Sequence, residues 1–99
     1  MDFEWDENKR RLNLKKHRVD FLDAALVLVS APVILEDCRQ DYGEPRYLAF
    51  GDMEGLLIVV AFTLRGDAVR IISARRGNAR ERKHYEERLH PKSDPSELD

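Results

Sequence analysis

The stretch Leu56–Leu64, LLIVVAFTL, is almost unbroken apolar and constrains this chain's fold more than any other segment. Ile and Val suit a pleated surface, so the run is a strand. It is continuous rather than alternating, which means both faces are covered and the strand sits at the sheet centre. Arg65-Gly66-Asp67 is a turn in which Gly66 is free to take positive φ. Ala68–Ala74 then returns as a second strand, and so short a connection makes the pair an antiparallel hairpin. Simple alternation puts Arg70, Ile72 and Ala74 on one face of it, and Val69, Ile71, Ser73 and Arg75 on the other.

A basic helix follows. Asn78 to Glu81 reads N-x-x-E, a capping box in which each side chain satisfies the other's backbone N–H. The helix is predicted over Ala79–Leu89, with Pro91 preventing continuation. From Arg65 to Arg88 eight Lys or Arg face four Asp or Glu, a local excess of +4.

The chain ahead of the hairpin reads as packing for this sheet. Phe3-Glu4-Trp5 is a brief strand candidate. Asp6 caps a charged helix over Glu7–Lys16, with Leu12 as its main apolar contact. Asp20 opens a second, mostly apolar helix that Ala31-Pro32 ends. Val33-Ile34-Leu35 and Arg46–Phe50 are two further strands, separated by the polar turn Asp41–Pro45. Gly51, Gly55 and Gly66 read as turn residues. The fold class is α+β: an antiparallel sheet of about four strands, two N-terminal helices and one C-terminal helix. Residues 1–90 form a single domain, and 91–99 a polar tail.

Charge and cysteine content narrow the function. A net charge of −2 argues against a globally basic nucleic-acid binder. The charge is uneven, however: −5 over residues 21–64 and +4 over 65–90, so the molecule has one basic region. The single cysteine, Cys38, cannot form an intramolecular disulfide or a multi-thiolate metal site, which fits a reduced cytoplasmic chain. There is no signal peptide, and no apolar run near 18 residues points to a membrane. His17, His84 and His90 do not show metal-ligand spacing, and no cofactor motif stands out.

The arginines carry the chemistry. Arg75 and Arg76 lie between a strand end and a helix N-terminus, where guanidinium forks and free N–H groups match phosphate oxygens. Arg65 in the turn, and Arg46 and Arg70 on strands, can add to such a site. The competing reading is a set of surface arginines paired with Glu and Asp. Tyr85 shares a helix face with Glu81 and either stacks a base or packs its ring on the sheet. Glu44 and Glu54 flank one strand and can act as bases or simply solvate turns.

Three separated blocks, FEWDENKRRLNLKKHRVDF (Phe3 to Phe21), DYGEPRY (Asp41 to Tyr47) and RIISARRGNARERKHY (Arg70 to Tyr85), together resemble the BrnT family of bacterial type II toxins. The resemblance covers roughly residues 2–86. It implies a compact fold like that of the RelE ribonuclease toxins, and RNA cleavage that blocks translation. It also implies a BrnA antitoxin partner, whose ribbon-helix-helix DNA-binding domain brings the complex to operator DNA. Metal-free RNA cleavage needs a base, an acid and cations for the charged transition state. On that reading Arg65, Arg75 and Arg76 bind phosphate and stabilise charge, leaving open which of the last two faces the site. Arg46, Arg70 and Tyr85 contact RNA, His17 is the acid or base, and Glu54 is the competing base. The alternative is a domain of the same fold without catalysis, acting as a binding module or co-repressor through its antitoxin. A third is a small phosphate-ligand protein unrelated to RNA.

Overall fold

The computed structural model describes residues 1–89, so Pro91 and the 91–99 tail lie outside the described residues. In chain order the elements are β1 (Asp2–Glu4), α1 (Glu7–His17), α2 (Phe21–Val29), β2 (Val33–Glu36), β3 (Tyr47–Met53), β4 (Leu56–Arg65), β5 (Ala68–Arg76) and α3 (Ala79–Leu89). The strands form one sheet in the order β1-β5-β4-β3-β2. β2 to β5 make an antiparallel meander, and β4 is central as its apolar run requires. The expected count of about four strands is one short. β1 adds a fifth by pairing parallel to β5, from Asp2 opposite Ala68 to Glu4 opposite Arg70.

One face of the sheet carries the main core. Ile58, Val60 and Phe62 of β4, with Val69, Ile71 and Ala74 of β5 and Ala49 of β3, pack on Phe21, Ala24, Val27 and Leu28 of α2. Trp5 meets Phe21 edge-on with ring centroids 6.1 Å apart. Gly51 is not a turn residue: it lies within β3 opposite Ile58. A Cβ there would come 2.6 Å from Val27 Cγ1, so glycine lets α2 approach the strand closely. Gly55 does serve a turn, with Glu54 at φ 51 and Gly55 at φ 86 between paired Met53 and Leu56. Positive φ at both positions is the type I′ pattern that matches strand twist.

α1 is held by a polar contact rather than an apolar one. Leu12 is 66% exposed, and the residue that α1 buries is Asn13. The Asn13 amide donates to the Ala74 carbonyl at 2.8 Å and accepts the Ala74 N–H at 3.1 Å. It also donates to the Val19 carbonyl at 2.9 Å. Asn13 thus pairs with the edge of β5 beyond the end of β1, where a strand neighbour is missing. The segment after α1 is tied down by Arg10, which forks onto Asp20 at 2.8 and 3.1 Å. Asp20 in turn caps α2 through the Leu22 N–H.

The opposite sheet face is covered at one end by α3. Gly77 lies over Leu57, with no room for a Cβ against the Leu57 side chain, and its N–H donates to the Leu57 carbonyl at 2.8 Å. Arg82 reaches back to the Gly55 carbonyl at 2.9 Å and to Asp52 at 3.3 Å, pinning α3 to the β3–β4 turn. Tyr85, half-buried, lines a recess with Val33, Leu35 and Phe50.

Replacing Asn13 by Leu keeps bulk but strands three buried backbone groups. Each unsatisfied buried group costs about 1–3 kcal/mol, so Asn13→Leu should destabilise by about 3 kcal/mol or more. The urea midpoint at pH 7 measures this, and an unchanged midpoint would refute the role given to Asn13.

Candidate nucleic-acid interface

The side-chain pattern of β5 does not alternate simply. Phe62 pairs with Ile71 and Ala61 with Ser73, so Ile72 is an extra residue on β5. Such a bulge shifts the alternation by one. Val69, Ile71 and Ala74 therefore all face the core. Arg70, Ser73 and Arg75 share the opposite face, across from Thr63, Ala61 and Val59. This corrects the grouping expected from plain alternation, which separated Arg70 from Arg75. It also separates the two adjacent arginines: Arg75 lies on the face opposite the main core, and Arg76, paired with Ile58, falls on the other.

Cross-strand pairing extends this face. Arg46 immediately precedes β3, and its carbonyl accepts the Asp37 N–H at 2.7 Å. The Thr63 hydroxyl donates to the Pro45 carbonyl at 2.6 Å, which fixes the approach to β3. Alternation from Leu48 and Thr63 places Arg46 and Arg65 on the same face as Arg70 and Arg75. Arg65 and Arg75 lie six β4 positions apart, about 20 Å along the strand. Between them the floor is made by half-buried Leu48, Ala61 and Ser73. Ala61 and Ser73 are small, so the floor is low where the arginines stand.

Each arginine has a partner that sets its direction. Arg75 forks onto Glu81 with two bonds of 2.8 Å. Glu81 also accepts the Asn78 N–H at 3.0 Å, while Asn78 Oδ1 accepts the Glu81 N–H at 2.8 Å, completing the expected capping box. Two donors at the α3 start are thereby occupied. Glu81 is held below the ordinary glutamate range, chiefly by the Arg75 hydrogen bonds, and Arg75 is raised by the same contact. Arg70 sits 3.5 Å from Glu4, and Arg65 3.7 Å from Glu44. The Arg46 guanidinium lies 4.2 Å from the Tyr42 ring centroid, and its Nε is buried without a partner among the described residues.

The β2–β3 loop contributes residues that sequence reasoning missed. The Asp37 carboxylate is almost fully buried and accepts from Arg39 Nε at 2.8 Å, Arg39 Nη2 at 2.7 Å and the Tyr42 hydroxyl at 3.0 Å. The Arg39 bonds pull Asp37 well below the usual carboxylate range, against the opposing effect of burial. In sequence this segment is only a fading strand. The available signal was an Asp two residues ahead of an Arg, beside the DYGEPRY block.

The other expected site residues lie on flanking elements. His17 ends α1, four residues after the Asn13 that bonds Ala74 beside Arg75. Glu54 is exposed in the β3–β4 turn. Tyr85 lies on α3 beside Val33, Leu35 and Phe50, on the same sheet face as Arg75, since Phe50 and Arg75 both pair with Val59. No helix among the described residues is long and apolar enough to cross a membrane.

A five-stranded α+β domain with one arginine-bearing sheet face is the class of protein these features define. The family model described as ribonuclease toxin, BrnT, of type II toxin–antitoxin system matches residues 5–81, and the chain belongs to that family. The match takes in the bulge, the Asp37 network and the Arg75–Glu81 pair, and ends before Tyr85. A type II toxin is paired with an antitoxin partner. No curated protein matches the chain.

Asp20, Asp37 and Glu81 all have folded pKa values below the ordinary ones. The stabilisation this supplies is complete above the unfolded value of about 4 and drains away as the pH falls below it toward the folded values. Stability measured by urea should therefore hold from pH 7 to 5 and decline between about pH 4 and 2. Asp37→Asn should flatten that decline; an equally steep acid loss in the variant would refute the assignment to Asp37.

Proposed function

We propose that this protein is a metal-independent ribonuclease that cleaves cellular RNA and inhibits translation, with its reactive region on the arginine-bearing sheet face. The observation that carries the reading is the bulge at Ile72, which brings Arg70 and Arg75 onto one face with Arg46 and Arg65. RNA cleavage of this kind needs no external nucleophile. The 2′-oxygen attacks the adjacent phosphorus, a base takes its proton, and the bond to the 5′-oxygen breaks as that oxygen gains a proton. The added negative charge sits on the phosphate oxygens in the transition state, where fixed guanidinium groups are most effective.

Arg75 is the residue we place at that charge. It stands at the rigid junction of β5 and a capped helix, and its fork matches two phosphate oxygens. Its bond to Glu81 pre-aims the guanidinium, and an incoming phosphate competes with or joins that carboxylate. Arg46, Arg70 and Arg65 hold the flanking backbone. His17 and Glu54 stay the candidates for proton transfer. The arginines supply the positive charge. The acidic balance of residues 21–64 favours a context-dependent substrate over free RNA. Residues 1–90 act as one toxin domain in the cytoplasm. A BrnA-like antitoxin covers the basic face and reaches operator DNA with its own domain.

Arg75→Ala should lower RNA cleavage by roughly 10²-fold or more, the scale of one lost preorganised donor. Arg75→Lys should recover only part of the activity, because a point charge cannot replace the fork. The melting temperature should fall only slightly, since Asn78 still caps α3. Cleavage by the parent should persist in EDTA. Parental rates in Arg75→Ala would remove it from the site, and loss of activity in EDTA with recovery on adding a divalent ion would overturn metal independence.

A further inference from the structure

We propose that Arg39 is an additional RNA-phosphate contact and that Asp37 is the positioning residue that holds it there. The proposal rests on the ribonuclease reading above and adds residues outside the β3–β5 strands.

The geometry has an unusual division of exposure. The Asp37 side chain is 3% exposed while its partner Arg39 is 69% exposed. A pair serving stability alone gains most when both charges leave water together with their hydrogen bonds, and a lone exposed arginine samples many rotamers. Here the carboxylate is sunk into the loop and the cation is left in solvent on a fixed fork. Arg39 Nε and Nη2 are spent on Asp37, and the remaining guanidinium N–H groups have no protein partner among the described residues.

The same carboxylate organises its surroundings. It accepts the Arg39 backbone N–H at 3.2 Å and the Tyr42 hydroxyl at 3.0 Å. Tyr42 supports Arg46 through its ring. The Asp37 N–H donates to the Arg46 carbonyl, so the loop is fastened to the start of β3. One buried group therefore places two arginines, Arg39 directly and Arg46 through Tyr42. The Asp37–Arg46 bond seats Arg39 beside the arginine-bearing face, and its charge reaches Arg75 and Glu81, slightly opposing the rise of the one and adding to the fall of the other. Each of these cations has one carboxylate partner, Asp37 or Glu81, and an anion that meets both guanidinium groups gains from the pair. In an RNA-cleaving protein that anion is a backbone phosphate.

The test uses the full chain and a fluorescent 2′-O-methyl RNA oligonucleotide, which binds but cannot be cleaved. Arg39→Ala should weaken binding by about tenfold, the loss of one charge-assisted contact. The slope of log affinity against log salt should shrink by about 0.7, the value for one single-strand phosphate. Arg39→Lys should restore the slope but only part of the affinity. Asp37→Asn should weaken binding similarly, and the double variant should bind no worse than Arg39→Ala. The parent should also show a protected Arg39 Nε–H signal in a nitrogen-15 spectrum, assigned by its loss in Arg39→Lys. That signal tests the Asp37 role even if Asp37→Asn fails to fold. Parental affinity and slope in Arg39→Ala, while Arg75→Ala cleaves poorly, would overturn this proposal and leave the ribonuclease reading standing. Additive losses in the double variant, or an unprotected Arg39 signal, would overturn the Asp37 role. A parent that neither binds nor cleaves RNA would overturn both readings.

Discussion

The Asn13 amide ties α1 to the edge of β5 beside Arg75. β1 pairs with β5 only as far as Arg70, and beyond it the β5 edge has no strand neighbour. Asn13 supplies a donor and an acceptor to Ala74 there, imitating the missing strand. Arg75 is the next residue. A backbone fixed at Ala74 on one side and by the Asn78–Glu81 box on the other gives the Arg75 guanidinium a defined origin and a defined target. An apolar contact at Asn13 could bury as much surface but could not satisfy the strand edge.

The electrostatic organisation follows a second rule. A chain of net charge −2 can still present a cationic surface if its carboxylates are used as internal struts. Asp37 is buried beneath Arg39, and Glu81 is shared between a helix cap and Arg75. These acids are spent on orienting guanidinium groups. The arrangement has a cost in flexibility, since each arginine is already partnered and an incoming anion must compete with or complement a carboxylate.

Much of the architecture was legible in the amino-acid order because it rests on local physics. The Leu56–Leu64 run marks the sheet centre, the Gly66 turn closes the hairpin, and N-x-x-E marks the start of α3. Family membership was also legible, in three blocks distributed along the chain. Three errors were of one kind. Leu12 was expected to pack where Asn13 does, Gly51 was expected in a turn and lies in β3, and β1 was not counted in the sheet. Each depends on which distant segment comes to lie alongside, and no periodicity records that.

The sequence by itself determined the α+β class, the order of the elements, the helix cap and a basic region over residues 65–90, because propensity, turn chemistry and charge act within a few residues. The tertiary structure alone decided which arginines share a face. A single extra residue at Ile72 exchanges the two sides of β5 from that point onward, and strand alternation carries no mark of where a bulge falls. It alone also joined Asp37 and Arg39 to that face, since pairing of the Asp37 N–H with the Arg46 carbonyl is a contact between segments nine residues apart in the chain. The placing of Arg70 and Arg75 on one face with Arg46 and Arg65 belongs to the folded sheet rather than to any stretch of it.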